Sequence, residues 1–137
     1  MVAPAGSVFR VRLDQDLDSR RSRPGDRFTG TMDSPLNLYG TEILSKGTVV
    51  IGHVLMAHPW EPNRDGGRAV LSITLDSCRR GGKEFGVSVS AVTRVGKYDA
   101  GPDSAEREVS WPAGSIAAFT LRSPLVISEV SSGVPNG

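Results

Sequence analysis

Two stretches of this sequence are nearly the same: PAGSVFRVRL at residues 4–13 and PAGSIAAFTL at residues 112–121. Pro fixes φ, Gly permits a positive φ and Ser can bond back to the backbone, so PAGS predicts a tight turn leading into a strand. A looser copy, SKGTVV, occupies residues 45–50. The apolar positions after both PAGS turns stay in phase. We therefore expect the two strands to lie side by side and to close a curved sheet, the alternative being a chance repeat of ordinary turn chemistry.

The rest of the chain is typical of many short strands. Apolar and polar residues alternate at 71–76 and again at 87–91, and the RGGK sequence between them predicts a hairpin. Helical apolar spacing is interrupted everywhere by the 16 Gly and nine Pro. We predict an all-β fold with little helix: one barrel-like or sandwich domain of about seven to nine short strands at 3–128. A flexible C-terminal tail is expected at 129–137.

The longest apolar run, TVVIGHVLM, covers residues 48–56. It is rich in β-branched residues and far shorter than the ~20 residues that span a bilayer as a helix. Near-continuous apolar runs are typical of strands that are buried on both sides. The run therefore predicts a central strand that is covered on both faces.

Charge and cysteine content exclude some classes of function. The 137-residue chain has 16 basic and 15 acidic residues and a net charge of +1, which gives no global attraction to nucleic acid or anionic lipid. The single cysteine, Cys78, has no internal disulfide partner and is interpreted as a small buried apolar residue rather than a reactive thiol. The first residues lack the basic and apolar parts of a signal peptide, so we expect a cytoplasmic protein or a mature exported one.

The order of these phrases carries a resemblance to a known family. PAGSVFRVRLDQDLDSRRSRPGDRF, SKGTVVIGHV, an alternating hairpin, a loop and WPAGSIAAFTLRSPLVI follow one another from Pro4 to about Ile127. This order resembles a family of bacterial cell-envelope β-barrel proteins, which are similar to the periplasmic barrel domain of the type IV secretion and conjugal-transfer scaffold protein. Relatives commonly carry a long hydrophobic insertion before the last PAGS phrase, whereas residues 96–108 here are few and charged.

The resemblance implies an exported protein, periplasmic or extracellular, that supports an envelope assembly without catalysis. The implied partners are other protein subunits, with homo-oligomers as one option, and neither nucleic acid nor a membrane span is expected. The loops at 57–68 and 96–108 are the expected contact surfaces.

Candidate metal and catalytic residues are few. His53 and His58 would point to opposite faces of one strand, and Pro59 is expected to end that strand first, so a shared metal is not predicted. No zinc spacing or serine-nucleophile motif occurs, and no cofactor is expected. An enzyme would need two titratable groups within ~3 Å of each other in a cleft.

Two charged runs stand close together in the sequence. Asp14, Asp16 and Asp18 alternate as in a calcium loop, but the glycine and the final acid that an EF-hand needs are missing. The run RRSR at residues 20–23 is the best local candidate for contact with an anion, although it lacks aromatic residues for stacking on bases.

Aromatic side chains give the alternative function, the binding of a small ligand or glycan at one end of the barrel. Trp60 lies in a loop rich in Pro and Gly and is equally compatible with a binding anchor and with a lid on the core, whereas the core is favoured for Trp111. The candidate binding residues are His58, Trp60, Arg64 and Tyr98.

Overall fold

The computed structural model describes residues 2–61, 68–96 and 108–127. Within these ranges the chain is all-β, as predicted, and has no helix. The strand count exceeds the expected number because five strands have only two or three residues. The strands are β1 Val2–Ala3, β2 Val8–Leu13, β3 Leu17–Asp18, β4 Arg27–Met32, β5 Leu36–Leu38, β6 Thr41–Leu44, β7 Val49–His58, β8 Val70–Arg80, β9 Lys83–Gly86, β10 Val92–Val95, β11 Ser110–Trp111, β12 Ile116–Thr120 and β13 Leu125–Val126.

One antiparallel sheet makes up most of the molecule, in the order β10-β8-β7-β4-β2-β12, with β9 also paired to β8. β2 and β12 are neighbours in register, with Phe9 opposite Phe119 and Val11 opposite Ala117. The predicted pairing of the two strands that follow the PAGS phrases is therefore confirmed. The hairpin predicted around RGGK is also present as β8 and β9, but its second strand covers 83–86 and not the expected 87–91.

The sheet curls until its two ends meet at one point. Val89, between β9 and β10, forms an antiparallel bridge with Leu121, just after β12. Two backbone hydrogen bonds flank the bridge, from Ser90 N–H to the Thr120 carbonyl at 2.9 Å and from Arg122 N–H to the Ser88 carbonyl at 2.8 Å. The architecture is therefore barrel-like, and this contact joins the last strand of the sheet to the first.

Four turns of one form lead into β2, β4, β7 and β12. In each turn the N–H of the fourth residue donates to the carbonyl of the first, at 3.0–3.1 Å. The third residue is a glycine with φ between 88° and 95°, a conformation that L side chains disfavour. These glycines are Gly6, Gly25, Gly47 and Gly114. From the sequence, three of these turns are recognisable as copies of one phrase, whereas Pro24-Gly25-Asp26 is recognisable as a turn but not as a copy.

Each of these turns, here called capping turns, is hydrogen-bonded to one residue that lies in a neighbouring strand or just after it. The N–H of the turn glycine donates to the carbonyl of that residue. The N–H of the same residue donates to the carbonyl of the residue that follows the glycine, and all of these bonds measure 2.7–2.9 Å. The arrangement is reciprocal in two units. In the β2–β12 unit Gly6 bonds Leu121 and Gly114 bonds Leu13; in the β4–β7 unit the bonds run from Gly47 to Met32 and from Gly25 to Val54.

The core is lined by the inward positions of these strands. Phe9, Phe28 and Phe119 are fully buried within it. Gly52 leaves room for the Phe28 ring, since a Cβ there would meet the ring and the Thr74 carbonyl. Trp111 is buried at one end, which confirms its predicted core position, and the Arg94 guanidinium lies 4.6 Å from its ring centroid.

The apolar run at 48–56 forms most of β7, a central strand as predicted, but only one of its faces is covered. Val50 and Val54 are fully buried on the inner face. Leu55 and Met56 are each 44% exposed. The prediction of burial on both faces is wrong because the sheet encloses its core on one side, and no second layer of described residues covers the outside.

Candidate functional site

The predicted binding residues are only partly described. His58 is exposed and is the last residue of β7, and Trp60 follows it, half-buried. Arg64 and Tyr98 lie outside the described residues. The flexible tail predicted at 129–137 is also outside them. The proposed binding role of this set therefore stays a prediction.

Glu108 fixes the backbone at Trp60. Its carboxylate accepts the Trp60 N–H at 3.1 Å and the Ser19 hydroxyl at 2.7 Å. The Ser19 oxygen in turn accepts the Val109 N–H at 3.1 Å. One carboxylate thus ties together the ends of β7 and β3 and the segment before β11, which is a structural role.

Both histidines lie on the outer face of β7, contrary to the expectation of opposite faces. The strand does run through His53 and His58, but its pairing with β8 shifts between Val54 and Met56. The extra residue, Leu55, reverses the alternation, so that Val54 and then Ala57 face the core. With four residues of strand between them, the two imidazoles remain too far apart to share a metal.

His53 and Asp76 form a close pair of titratable groups on the outer face, with Nδ1 2.8 Å from Oδ2. Asp76 also lines an open groove of about 340 Å³, together with Arg27, Ile51, Ser77, Glu84 and Gly86. The Ser77 hydroxyl donates to Glu84 at 2.8 Å rather than to His53. The carboxylate of Asp76 thus lines the groove and pairs with His53, but no described hydroxyl or thiol is bonded to that histidine.

Cys78 is fully buried opposite Val50. Burial, and secondarily the negative charge of Glu84, raises the pKa of its thiol to about 11. A thiol with this pKa stays protonated at neutral pH and is a poor nucleophile. The interpretation of Cys78 as a small buried apolar residue is confirmed.

The described ranges contain no cluster of three or more His, Cys, Asp or Glu side chains suited to a metal ion. The aspartates at 14, 16 and 18 are used within the chain instead: Asp14 accepts the Thr29 hydroxyl, Asp16 accepts the Ala113 N–H, and Asp18 accepts the Arg20 N–H. A helix with the length and apolar character of a membrane span is likewise absent from these ranges.

β7 extends beyond its neighbour β4. Pairing between the two strands ends at Arg27 opposite His53, and the capping turn at Gly25 covers Val54. Leu55–His58, here called the β7 extension, pairs only with β8, and no described strand pairs with its other side. This open edge is the candidate functional site, and sequence reasoning identified only His58 within it.

An arginine-rich segment is hydrogen-bonded to Val54, the residue just before this edge. Gly25 N–H donates to the Val54 carbonyl at 2.7 Å, and Val54 N–H donates to the Asp26 carbonyl at 2.8 Å. The segment 19–27, which contains this turn, has four arginines and one aspartate, and the arginines are exposed. The guanidinium groups of Arg21 and Arg23 have no bonding partner among the described residues. The run selected in the sequence as an anion contact is therefore next to the β7 extension.

A second exposed feature is the tip of the β5–β6 hairpin. Tyr39 has a positive φ of 51° and is 100% exposed. A non-glycine residue in this conformation is uncommon and often marks a functional position. The full exposure of Tyr39 was not predicted from the sequence.

Comparison of the sequence with models of known protein families gives no match. Comparison with curated proteins gives none either.

Proposed function

We propose that this protein is a structural and assembly module of a bacterial cell envelope, acting through protein–protein contacts and not by catalysis. The observation that carries the proposal is the β7 extension, an open strand edge with exposed apolar side chains. Soluble proteins usually shorten, charge or cover such edges, because an open apolar edge pairs with other chains. The bacterial origin and the periplasmic or extracellular location rest on the family resemblance alone.

The exposed apolar residues form one patch across three strands. His58 lies opposite Val70, which lies opposite Val95 on β10, and Met56 occupies the next outer row. Leu55, Met56 and Val95 are between 44% and 49% exposed. Contiguous apolar surface on the outer face of a sheet is typical of a binding surface.

Tyr39 supports the same class of function. A rigid aromatic ring held away from the rest of its own chain adds nothing to the core, whereas aromatic side chains dominate binding energy at protein interfaces. Ligand binding around Trp60, by contrast, would depend on residues 62–67 and 97–107, which lie outside the described residues.

Photo-crosslinking in the protein's native cells tests the proposal. A photoreactive amino acid replaces Met56 or Tyr39, and Lys46, an exposed residue of a capping turn, is the control position. We expect discrete protein adducts from Met56, recovered in the envelope fraction, and none from Lys46. Absence of adducts from both Met56 and Tyr39, or recovery of the protein in the cytosol only, would contradict the proposal.

A further inference from the structure

We propose that the β7 extension binds an extended, acidic segment of a partner protein as an added β-strand. The inference rests on the proposed function and deepens it, because it names the surface and the chemistry of the partner. Three features of the surface carry it: the backbone edge, the exposed apolar side chains and the charge beside them.

The backbone edge supplies the mode of binding. Leu55–His58 is held in extended form by pairing with β8, through Met56 opposite Ser72 and His58 opposite Val70. No described strand pairs with the opposite side, and addition of a strand to such an edge is a recurring mode of peptide binding. Because the capping turn at Gly25 fills the place next to Val54, the added strand can pair with only a few residues.

The side chains of the edge supply apolar contact. Leu55 is the bulged residue and Met56 the next, and both are 44% exposed. Met is flexible enough to adapt to a partner surface. A partner strand with alternating apolar residues would therefore cover both side chains on the outer face of the sheet.

Charge selects the partner. The segment 19–27 beside the edge carries a formal excess of arginine over aspartate in a protein that is nearly neutral overall. Of its arginines, Arg20 is 3.8 Å from Asp18, whereas Arg21 and Arg23 have no described partner. Acidic residues on the incoming strand would pair with these two guanidinium groups and speed association.

The same charge disfavours a second copy of this chain as the occupant. Two copies joined edge to edge by a two-fold axis would place both arginine-rich segments against one interface, with like charges facing each other. An unstructured polyanion would satisfy the arginines but leave the backbone edge and the apolar side chains unused.

Fluorescence anisotropy with synthetic peptides tests the proposal on the full chain. The probe is a labelled peptide of alternating Val and Glu. A Val–Lys peptide controls for charge, and a Pro–Glu peptide, which has the same charge but cannot donate along a strand edge, controls for strand addition. We expect saturable, salt-sensitive binding of the Val–Glu peptide and at least tenfold weaker binding of the two controls.

Charge-reversal variants locate the site. The double variant Arg21→Glu/Arg23→Glu should weaken binding at least tenfold, and Met56→Thr severalfold. Arg10→Glu is the matched control, because Arg10 is an exposed arginine on β2 whose guanidinium has no partner among the described residues. It should leave binding unchanged, and circular dichroism should show that all variants keep the fold.

Equal binding of the Val–Glu and Val–Lys peptides, equal binding of the Pro–Glu peptide, or no saturable binding of any peptide would overturn the proposal. Crosslinks from Met56 in cells without Val–Glu binding would overturn strand addition and leave the assembly function standing. Peptide binding without crosslinks from either tested position would overturn the assembly function instead.

Discussion

The β2–β12 unit and the β4–β7 unit use the same pair of capping turns but end differently. In the β2–β12 unit each turn closes on the end of its neighbour, at Leu13 and just after Thr120. In the β4–β7 unit the turn at Gly47 closes on Met32, the last residue of β4. The turn at Gly25, however, closes on Val54, and β7 continues to His58.

This difference separates residues that the fold requires from residues of the β7 extension that it does not require. Three of the four capping turns bond a residue at the end of a strand. The turn at Gly25 bonds Val54, so the hydrogen bonds of the capping turns do not require the β7 extension. An extension that exposes Leu55 and Met56 adds a hazard of aggregation, while only Ala57 of its four residues packs against the core. Its retention is best explained by a contact outside the chain.

The largest expected effect comes from breaking the β2–β12 unit at its centre. Phe119→Ala removes a fully buried ring that lies opposite Phe9, and should lower the free energy of unfolding by about 3–5 kcal/mol. Urea denaturation measures the loss. The exposed neighbour Thr120→Ala is the control and should change it by less than about 0.5 kcal/mol. A loss near zero for Phe119→Ala would show that this pair does not hold the sheet together.

The boundary within β7 can be tested with two neighbouring residues. Val54→Ala should cost about 1–3 kcal/mol because Val54 is fully buried. Leu55→Thr, one residue later, should stay within about 0.5 kcal/mol. Thermal and urea unfolding of both variants measure the contrast. Equal losses would mean that the extension is part of the structural core.

The equivalence of the two units predicts equal effects at their turn glycines. Gly114→Ala and Gly25→Ala should each cost about 1–2 kcal/mol, because an added Cβ meets nothing within 4 Å and the strain of the positive φ acts alone. Gly86→Ala is the control, since its φ is not positive and the nearest atom to an added Cβ is 4.0 Å away. Markedly different losses at Gly114 and Gly25 would show that the turns are not interchangeable.

The smallest effect on stability at neutral pH is expected from the ionisation of Cys78, which lies opposite the enclosed part of β7. Because burial raises the thiol pKa to about 11, ionisation favours the unfolded chain, whose cysteine has a pKa of about 8.5. The stability contributed by this group is therefore constant below about pH 8.5 and falls as the pH rises towards 11. Iodoacetamide labelling at pH 8 should be slow in the native protein and fast in urea. Rapid native labelling would contradict the enclosed position.

Local chemistry made much of the fold predictable from the sequence. Pro, Gly and Ser fix the geometry of the PAGS turns wherever they occur, and the phase of the following apolar residues was enough to pair β2 with β12. The all-β class followed from alternation and from the frequency of turn residues. These features depend on a few neighbouring residues each.

The candidate site was not predictable in the same way. An apolar run does not reveal how many layers will cover it, so 48–56 was expected to be buried on both faces. The bulge at Leu55 leaves no mark in the sequence, yet it moves His58 to the face of His53. An open edge exists only because β4 stops short of β7, and that depends on pairing between distant segments.

The bridge between Val89 and Leu121 also constrains how the molecule is made. β2 leaves the ribosome well before its partner β12 and before Leu121, which joins the two ends of the sheet. Until then β2 is paired with β4 on one edge, and the backbone N–H and C=O groups of its other edge have no strand partner. The sheet is completed only after β12 has been synthesised, as expected for a topology dominated by contacts between distant residues.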